Sequence, residues 1–324
     1  MAIPTSGPVS FNTLKTEYND TDPVQLTDFY RGGLVPDSAI NNGNVPTSGE
    51  ISIADLRGSS NEFIVSVSSP TTVLNVQSLF PTPVWSSSTP KTVNIDSGVV
   101  IGATLTTEYA LTVPSGAGGV VTINNAGNIR AAGGAGGVSG AGGNGGNAVR
   151  VQSPTTITNT GTIYAGGGGG GRGSTGSTGC CPNPPSCRDI DGGGGCCSGF
   201  CDQGSKIGDN CFVAGACPGC NVFCVARCRI CNNVPCSPRT GGAGGNGGRG
   251  RGYLQSSQPG QSGGDPRGCG SGGGFTGGEG GTWGTSGERG LGGGAFGGLS
   301  GSYIVGDSLV TWNGGRGDVA GNVA

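Results

Sequence analysis

The stretches VTINNAGNIRAAGGAGG (Val121–Gly137) and TTITNTGTIYAGGGGGG (Thr155–Gly171) decide how this chain is read. Each alternates apolar and polar residues for a few positions, as a half-buried strand does, and then gives up its side chains to glycine. Equivalent positions recur 34 residues later: Ile123 with Ile157, Asn125 with Asn159, Gly127 with Gly161 and Ile129 with Ile163. Matching strands at a fixed period predict stacked rungs, although two copies fall short of a full solenoid.

The glycine that follows is phased. From Ala132 to Asn147 the other residues stand at Ala132, Ala135, Val138, Ala141, Asn144 and Asn147, with Ser139 the exception. GGAGGNGGRG places Ala243, Asn246 and Arg249 at the same spacing, and Gly278, Gly281, Gly284, Gly287, Gly290 and Gly293 hold every third position of a later run. Three residues per turn is the period of an extended left-handed helix whose N–H and C=O groups point outward. Where glycine faces the neighbours, such helices approach closely enough to bond one another, and a polyglycine-II bundle satisfies its own polar groups. Collagen shares the period but requires proline in the triplets, and none lies between Gly278 and Gly293. A flexible low-complexity linker is the other open reading, though it has no need of strict phasing.

Composition limits what else the chain can be. Of its 324 residues 74 are glycine, 33% are hydrophobic and 11% are charged, so a large packed core is excluded over much of the length. The net charge of −2 disfavours nucleic acid, and no apolar run is long enough to insert into a membrane as a helix. MAIPTSGPVS lacks a basic n-region and an apolar h-region, so no secretory signal is expected.

The cysteines point outside the cell all the same. Cys180, Cys181, Cys187, Cys196, Cys197, Cys201, Cys211, Cys217, Cys220, Cys224, Cys228, Cys231 and Cys236 crowd one insert, with Cys269 apart. Disulfides are the preferred reading of that density. Zinc held by the two C-x-x-C pairs, Cys217/Cys220 and Cys228/Cys231, is an alternative, and so are free thiols. Synthesis in a host cytoplasm and release by lysis, as for a virus particle, reconciles the thiol count with the missing signal.

IPTSGPVSFNTL (Ile3–Leu14) returns as VPTSGEISIADL (Val45–Leu56), each with a serine, Ser10 or Ser52, ahead of apolar residues spaced by three. This predicts serine-capped single helical turns, the second stopped by Gly58, and a third such turn in VQLTDFYRGG. EFIVSVSS, TTVLNV, KTVNI and YALTV then alternate with period two and predict short strands.

Catalytic constellations are sparse. The chain has no histidine, which removes Ser-His-Asp and Cys-His chemistry. Glu279 and Glu288 are the one carboxylate pair weighed for glycoside hydrolysis, and both read as solvent-facing triplet positions. RGD at Arg316–Asp318 reads as a turn. Phe275, Trp283 and Phe296 stand out as large apolar groups among glycines. They either plug gaps in the bundle or contact a receptor.

IPTSGPVSF with its echo VPTSGEISIADLRG resembles the N-terminal module of many tail and fibre proteins of bacterial viruses. YALTVPSGAGGVVTINNAGNIRAAGG, ITNTGTIYAGGGGGG and the ending GSYIVGDSLVTWNGGRGDVAGNVA are similar to glycine-rich phage tail-tip and host-specificity adhesins. The resemblance covers most of the chain outside 180–239. It implies a virion component that binds the host surface, a polyglycine-II sandwich, and receptor-contacting loops between glycine motifs. By analogy with tail fibres it also implies a homotrimer.

The expected fold is mainly β, with a polyglycine-II bundle, a short-helix N-terminal module and a disulfide-rich insert. The expected divisions are a virion-attachment module (1–58), a β region (59–115), glycine-rich rungs and bundle (116–302) carrying the insert 180–239, and a terminal strand and tail (303–324). The expected protein is non-enzymatic and without cofactor. Its partners are other phage tail proteins and a host glycan or outer-membrane protein. The rivals are a neck or tail decoration protein, a tail-spike depolymerase and, with an export signal, an ice-binding protein.

Overall fold

The computed structural model describes residues 2–181, 187–191, 195–196, 205–212, 223–231, 237–239, 241–265 and 272–324. The chain divides into two compact units, one of residues 1–175, 243–264 and 275–324, the other of 176–242 and 265–274.

The first unit is mainly β, with few and short helices. Three parallel sheets of five strands each form its frame. The first contains Phe63–Val67, Lys91–Ile95, Val121–Asn125, Thr155–Asn159 and Val310–Trp312. The second contains Thr71–Thr72, Val100–Gly102, Asn128–Arg130, Thr162–Tyr164 and Asp318–Ala320. The third contains Leu74–Asn75, Leu111–Val113, Val149–Val151, Ser302–Val305 and Asn322–Val323. In chain order each rung takes one strand from every sheet, so the chain coils five times through a three-sided stack.

The register explains why the rungs hold. Val93, Ile123 and Ile157 are in line in the first sheet, Ile101, Ile129 and Ile163 in the second, Leu111, Val149 and Ile304 in the third. All nine are buried. Each contributes about 1.5–3 kcal/mol by burial alone. The 34-residue echo is the contact between the third and fourth rungs, with Ile123 beside Ile157, Asn125 beside Asn159 and Ile129 beside Ile163. Three further rungs lack that motif and still stack. The stack therefore draws strands from 59–115, 116–302 and 303–324 alike, and no break in it falls at residue 115.

The ending, expected to hold a single terminal strand, has two between Ser302 and Trp312. Gly306, at φ +89°, turns the chain between Ser302–Val305 and Val310–Trp312. TTVLNV likewise splits at Val73, which adopts φ +52°. A short helix at Thr82–Ser86 buries Trp85 against the stack, an element without a sequence forecast.

Residues before the first strand pack around a separate core of Ile3, Leu14, Tyr18, Phe29, Val35, Val45 and Leu56. Both copies of the N-terminal echo thus deliver their first apolar residue and their last leucine to one cluster. The first copy forms a longer helix than a single turn, Phe11–Tyr18, with the Ser10 hydroxyl accepting from the Thr13 amide. The second forms turns instead: Ser52 donates its amide and hydroxyl to the Asp55 carboxylate, and Gly58, at φ +78°, ends the segment.

Two rungs open to release the glycine segments, the third between Arg130 and Val149, the fourth between Tyr164 and Ser302. The run Gly166–Ser174 occupies the middle of the resulting assembly. Its amides donate outward with a period of three. Those of Gly166, Gly169 and Arg172 go to Gly146, Gly143 and Gly140; those of Gly167, Gly170 and Gly173 go to Arg251, Gly248 and Gly245. Those of Gly168, Gly171 and Ser174 go to Thr285, Glu288 and Leu291. Its carbonyls accept from three further runs, through Gly134 and Gly137, Gly278 and Gly281, and Ala295, Gly298 and Gly301. Along Gly166–Gly171 a backbone surrounded in this way has no room for a side chain. A Cβ on Gly166 would lie 1.7 Å from the Ala132 oxygen, and one on Gly169 1.9 Å from the Ala135 oxygen.

The second unit contains antiparallel strands. Gly179–Cys181 pairs with Ser237–Arg239, and Phe223–Cys231 pairs with Cys187–Asp191, Gly195–Cys196 and Ser205–Phe212.

Candidate functional site

Within the first unit, a cavity of about 370 Å³ lies where the second sheet meets the glycine segments. The strand Asn128–Arg130 brings Arg130 to one side. The run ending at Arg251, whose carbonyl accepts from Gly167, brings the second arginine. Between them sits Trp283: the Arg130 guanidinium lies 5.9 Å and that of Arg251 5.6 Å from its ring centroid. Cation–π contacts of this kind hold a guanidinium in place, and that of Arg130 also donates from Nη2 to the Oδ1 of Asn128 at 3.4 Å.

Tyr164, at the end of the fourth rung's second strand, packs its ring 5.7 Å from Trp283. Its hydroxyl donates to Asp318 at 2.6 Å, and that bond to a carboxylate raises the phenol above its ordinary value. Asp318 is therefore engaged by a neutral donor. No carboxylate lines the cavity, and among the described residues neither arginine forms an ion pair.

The far wall is a tight turn. Gly252 and Gln255 exchange backbone hydrogen bonds at 3.0 and 2.8 Å, which projects Tyr253 and Leu254. The Tyr253 ring lies over Gly102, where a Cβ would come within 2.4 Å of it. Leu254 adopts φ +57° and is 84% exposed. A leucine is rarely found in the left-handed region, and rarely so bare.

The structure separates the three aromatic residues singled out from sequence. Trp283 belongs to the cavity, near the β stack. Phe275 and Phe296 lie at the bundle rows marked by Ser174 and Arg172, where the Phe275 amide donates to Ser174 and that of Ala295 to Arg172. Both phenylalanines are exposed, and Arg289 stacks 4.5 Å from the Phe296 centroid.

Glu279 and Glu288 are exposed and joined through their backbones rather than across a cleft. Arg316 of the RGD triplet pairs with Asp307 at 2.6 Å and lies over the rings of Tyr303 and Trp312, so its arginine and aspartate both have partners within the chain.

Of the cysteines, Cys197, Cys201, Cys217, Cys220, Cys236 and Cys269 lie outside the described residues. The backbone of the second unit sets Cys187 opposite Cys231 and Cys211 opposite Cys224. Cys180 and Cys181 lie on the strand paired with Ser237–Arg239, Cys196 stands opposite Phe223, and Cys228 is on the central strand.

Two arginines and an indole thus line one open cavity, carried on a stacked frame with side-chain-free runs. A family model for the phage tail fibre adhesin Gp38 matches residues 62–324, and the chain belongs to that family. It is a phage tail adhesin, a class that binds the host receptor. The crystal structure of the gp37-gp38 adhesin tip complex of the bacteriophage S16 long tail fibre is similar at 19% identity and a TM-score of 0.44, over 99% of this chain and 100% of that one. No curated protein matches the chain.

Proposed function

We propose that the chain acts as a rigid, non-enzymatic display protein of the tail fibre, in which glycine runs form a polyglycine-II bundle that carries host-recognition segments. The observation behind this reading is the run Gly166–Ser174, bonded to three neighbours through its amides and three through its carbonyls. Six-fold lateral bonding with a period of three is what side-chain-free, three-residue-per-turn helices produce. Residues at the phased non-glycine positions Ala135, Val138, Ala141 and Asn144 are exposed, in keeping with such a bundle.

In this reading residues 1–58 attach to another phage tail protein. The family match begins at residue 62, after that module and its separate core, which supports assigning it a task of its own. The insert 180–239 is a recognition segment, together with Phe275 and Phe296. Its cysteines are oxidised, with Cys187–Cys231 and Cys211–Cys224 as the pairs we propose from strand register, because directly opposed antiparallel residues have Cα separations of about 4.5–5.5 Å that suit a disulfide. The receptor is a glycan or an outer-membrane protein of the host. An enzymatic role has less support: no carboxylate lines the cavity, and Glu279 and Glu288 are exposed.

The test is deletion of 180–238 in the phage. Assembled particles that no longer adsorb are expected; assembled particles that adsorb normally would remove the insert from recognition. Peptide mapping without reductant tests the two cysteine pairs.

A further inference from the structure

We propose that the cavity beside Trp283 binds an acidic sugar unit, one carrying a carboxylate or a phosphate, through the guanidinium groups of Arg130 and Arg251. This names a ligand class within the adhesin reading and rests on that reading for its biological use. The binding chemistry stands on the cavity alone.

Two cations face one space, and among the described residues neither is in an ion pair. Contact with Trp283 restrains both side chains, so part of the entropy of ordering a long side chain has been met before any ligand arrives. A planar guanidinium presents paired N–H groups that match a carboxylate or a phosphate oxygen pair. The site also has unused capacity in its walls. The Nε of Arg130 and Oε1 of Gln255 are buried in those walls without a hydrogen-bond partner, polar groups that a hydroxylated ligand would satisfy only through a shift of the two side chains.

Size and polarity select a sugar. About 370 Å³ lies at the small end of the range for ligand pockets and admits on the order of one or two pyranose rings rather than a folded protein loop. A sugar ring has C–H faces as well as hydroxyls, and Leu254, Val100 and Pro70 supply apolar wall opposite the arginines. The left-handed backbone at Leu254 keeps that side chain at the rim, and backbone strain of this kind collects at ligand clamps.

Calorimetric titration of the purified full chain tests this with three probes: an oligogalacturonate for the carboxylate, glucose 6-phosphate for the phosphate, and maltose as the neutral counterpart. One acidic probe is expected to bind at least tenfold more tightly than maltose, and more weakly as salt rises. Arg251→Ala and Arg130→Ala should each weaken that binding roughly tenfold or more. Arg130 is partly buried, so a rim pair guards against misfolding: Leu254→Asp should abolish binding of the acidic probe and Leu254→Lys should retain it. Equal binding of maltose, no binding of either acidic probe, indifference to the arginine and Leu254 changes, or tighter binding of a polyglutamate peptide than of either sugar would each overturn the proposal. If the sugars fail while deletion of 180–238 still abolishes adsorption, this site falls and the adhesin reading stands.

Discussion

Asn125 donates its side-chain amide to the Oδ1 of Asn159 one rung away, at 2.7 Å, and Asn159 passes its own amide to the carbonyl of Arg316 at 2.8 Å. Both asparagines are buried, and the Oδ1 of Asn125 also accepts from the amide of Gly127. The ladder ties the third, fourth and fifth rungs at one corner of the stack. Asn159→Ala removes an acceptor and a donor at once and should destabilise the first unit by about 1–3 kcal/mol, read as a lower midpoint in urea. Asn159→Asp keeps the shape but cannot donate to Arg316 and buries a charge, so it should cost at least as much at neutral pH.

Ala substitutions in the glycine runs should split sharply by position. Gly169→Ala places a methyl group 1.9 Å from a backbone oxygen that is itself held by its neighbours, whereas Gly140→Ala meets nothing within 4 Å. The first should cost on the order of 1–3 kcal/mol or prevent folding, the second less than about 0.5 kcal/mol. Thermal melts of the two variants side by side check this. Equal behaviour would mean that the central run is not enclosed.

Part of this arrangement is legible in the sequence itself. Ile123 and Ile157 declare their pairing because the same motif surrounds both. The rung of Val93 and Leu111 does not, since its strands share only a period of two with the others and its corners differ in length. Trp283 is conspicuous in sequence as an indole among glycines. Arg130 and Arg251 are not conspicuous as its partners: glycine backbone bonds bring them together, and such bonds leave no trace in residue type. The same is true of the six neighbours of Gly166–Ser174, although the three-residue phasing that permits them is plain. The edge-to-face pair Phe63 and Phe80, and Trp85 tilted behind it, depend on a helix whose Thr-Pro-Val-Trp-Ser sequence offers little helical pattern.

Arg316 is read from sequence as part of a turn, and the structure makes it a clamp on the last rung, bound to Asp307 and layered over Tyr303 and Trp312. Arg316→Ala should loosen the C-terminal strands, seen as faster hydrogen exchange at Val310–Trp312 and Asp318–Ala320 than in the parent. Arg316→Lys should rescue only part of the protection, because an ammonium cannot layer on the rings as a planar guanidinium does.

The N-terminal core predicts an alkaline limit. The Tyr18 hydroxyl donates to Ser59 at 2.5 Å, and burial pushes its pKa up to about 12 from the ordinary phenol value of 10.0. The folded form therefore holds its proton after the unfolded chain has lost it. Its contribution to stability is fully present below pH 10 and is lost as the pH rises from there to about 12. Tyr18→Phe should flatten that decline in a stability profile measured by urea, at a cost of about 1 kcal/mol at neutral pH for the missing hydrogen bond.

The spacing of bonds along Gly166–Ser174 also governs how such a gene can change in length. Each surrounding run meets the central one at every third residue. Adding or deleting a single codon in a surrounding run would swing alanine, asparagine or arginine inward and break the contacts downstream, whereas a step of three codons slides the register by one full turn and keeps each face where it was. Length variation among such genes is thus expected to come in whole turns, which makes the runs an adjustable spacer whose gradations are set by the backbone.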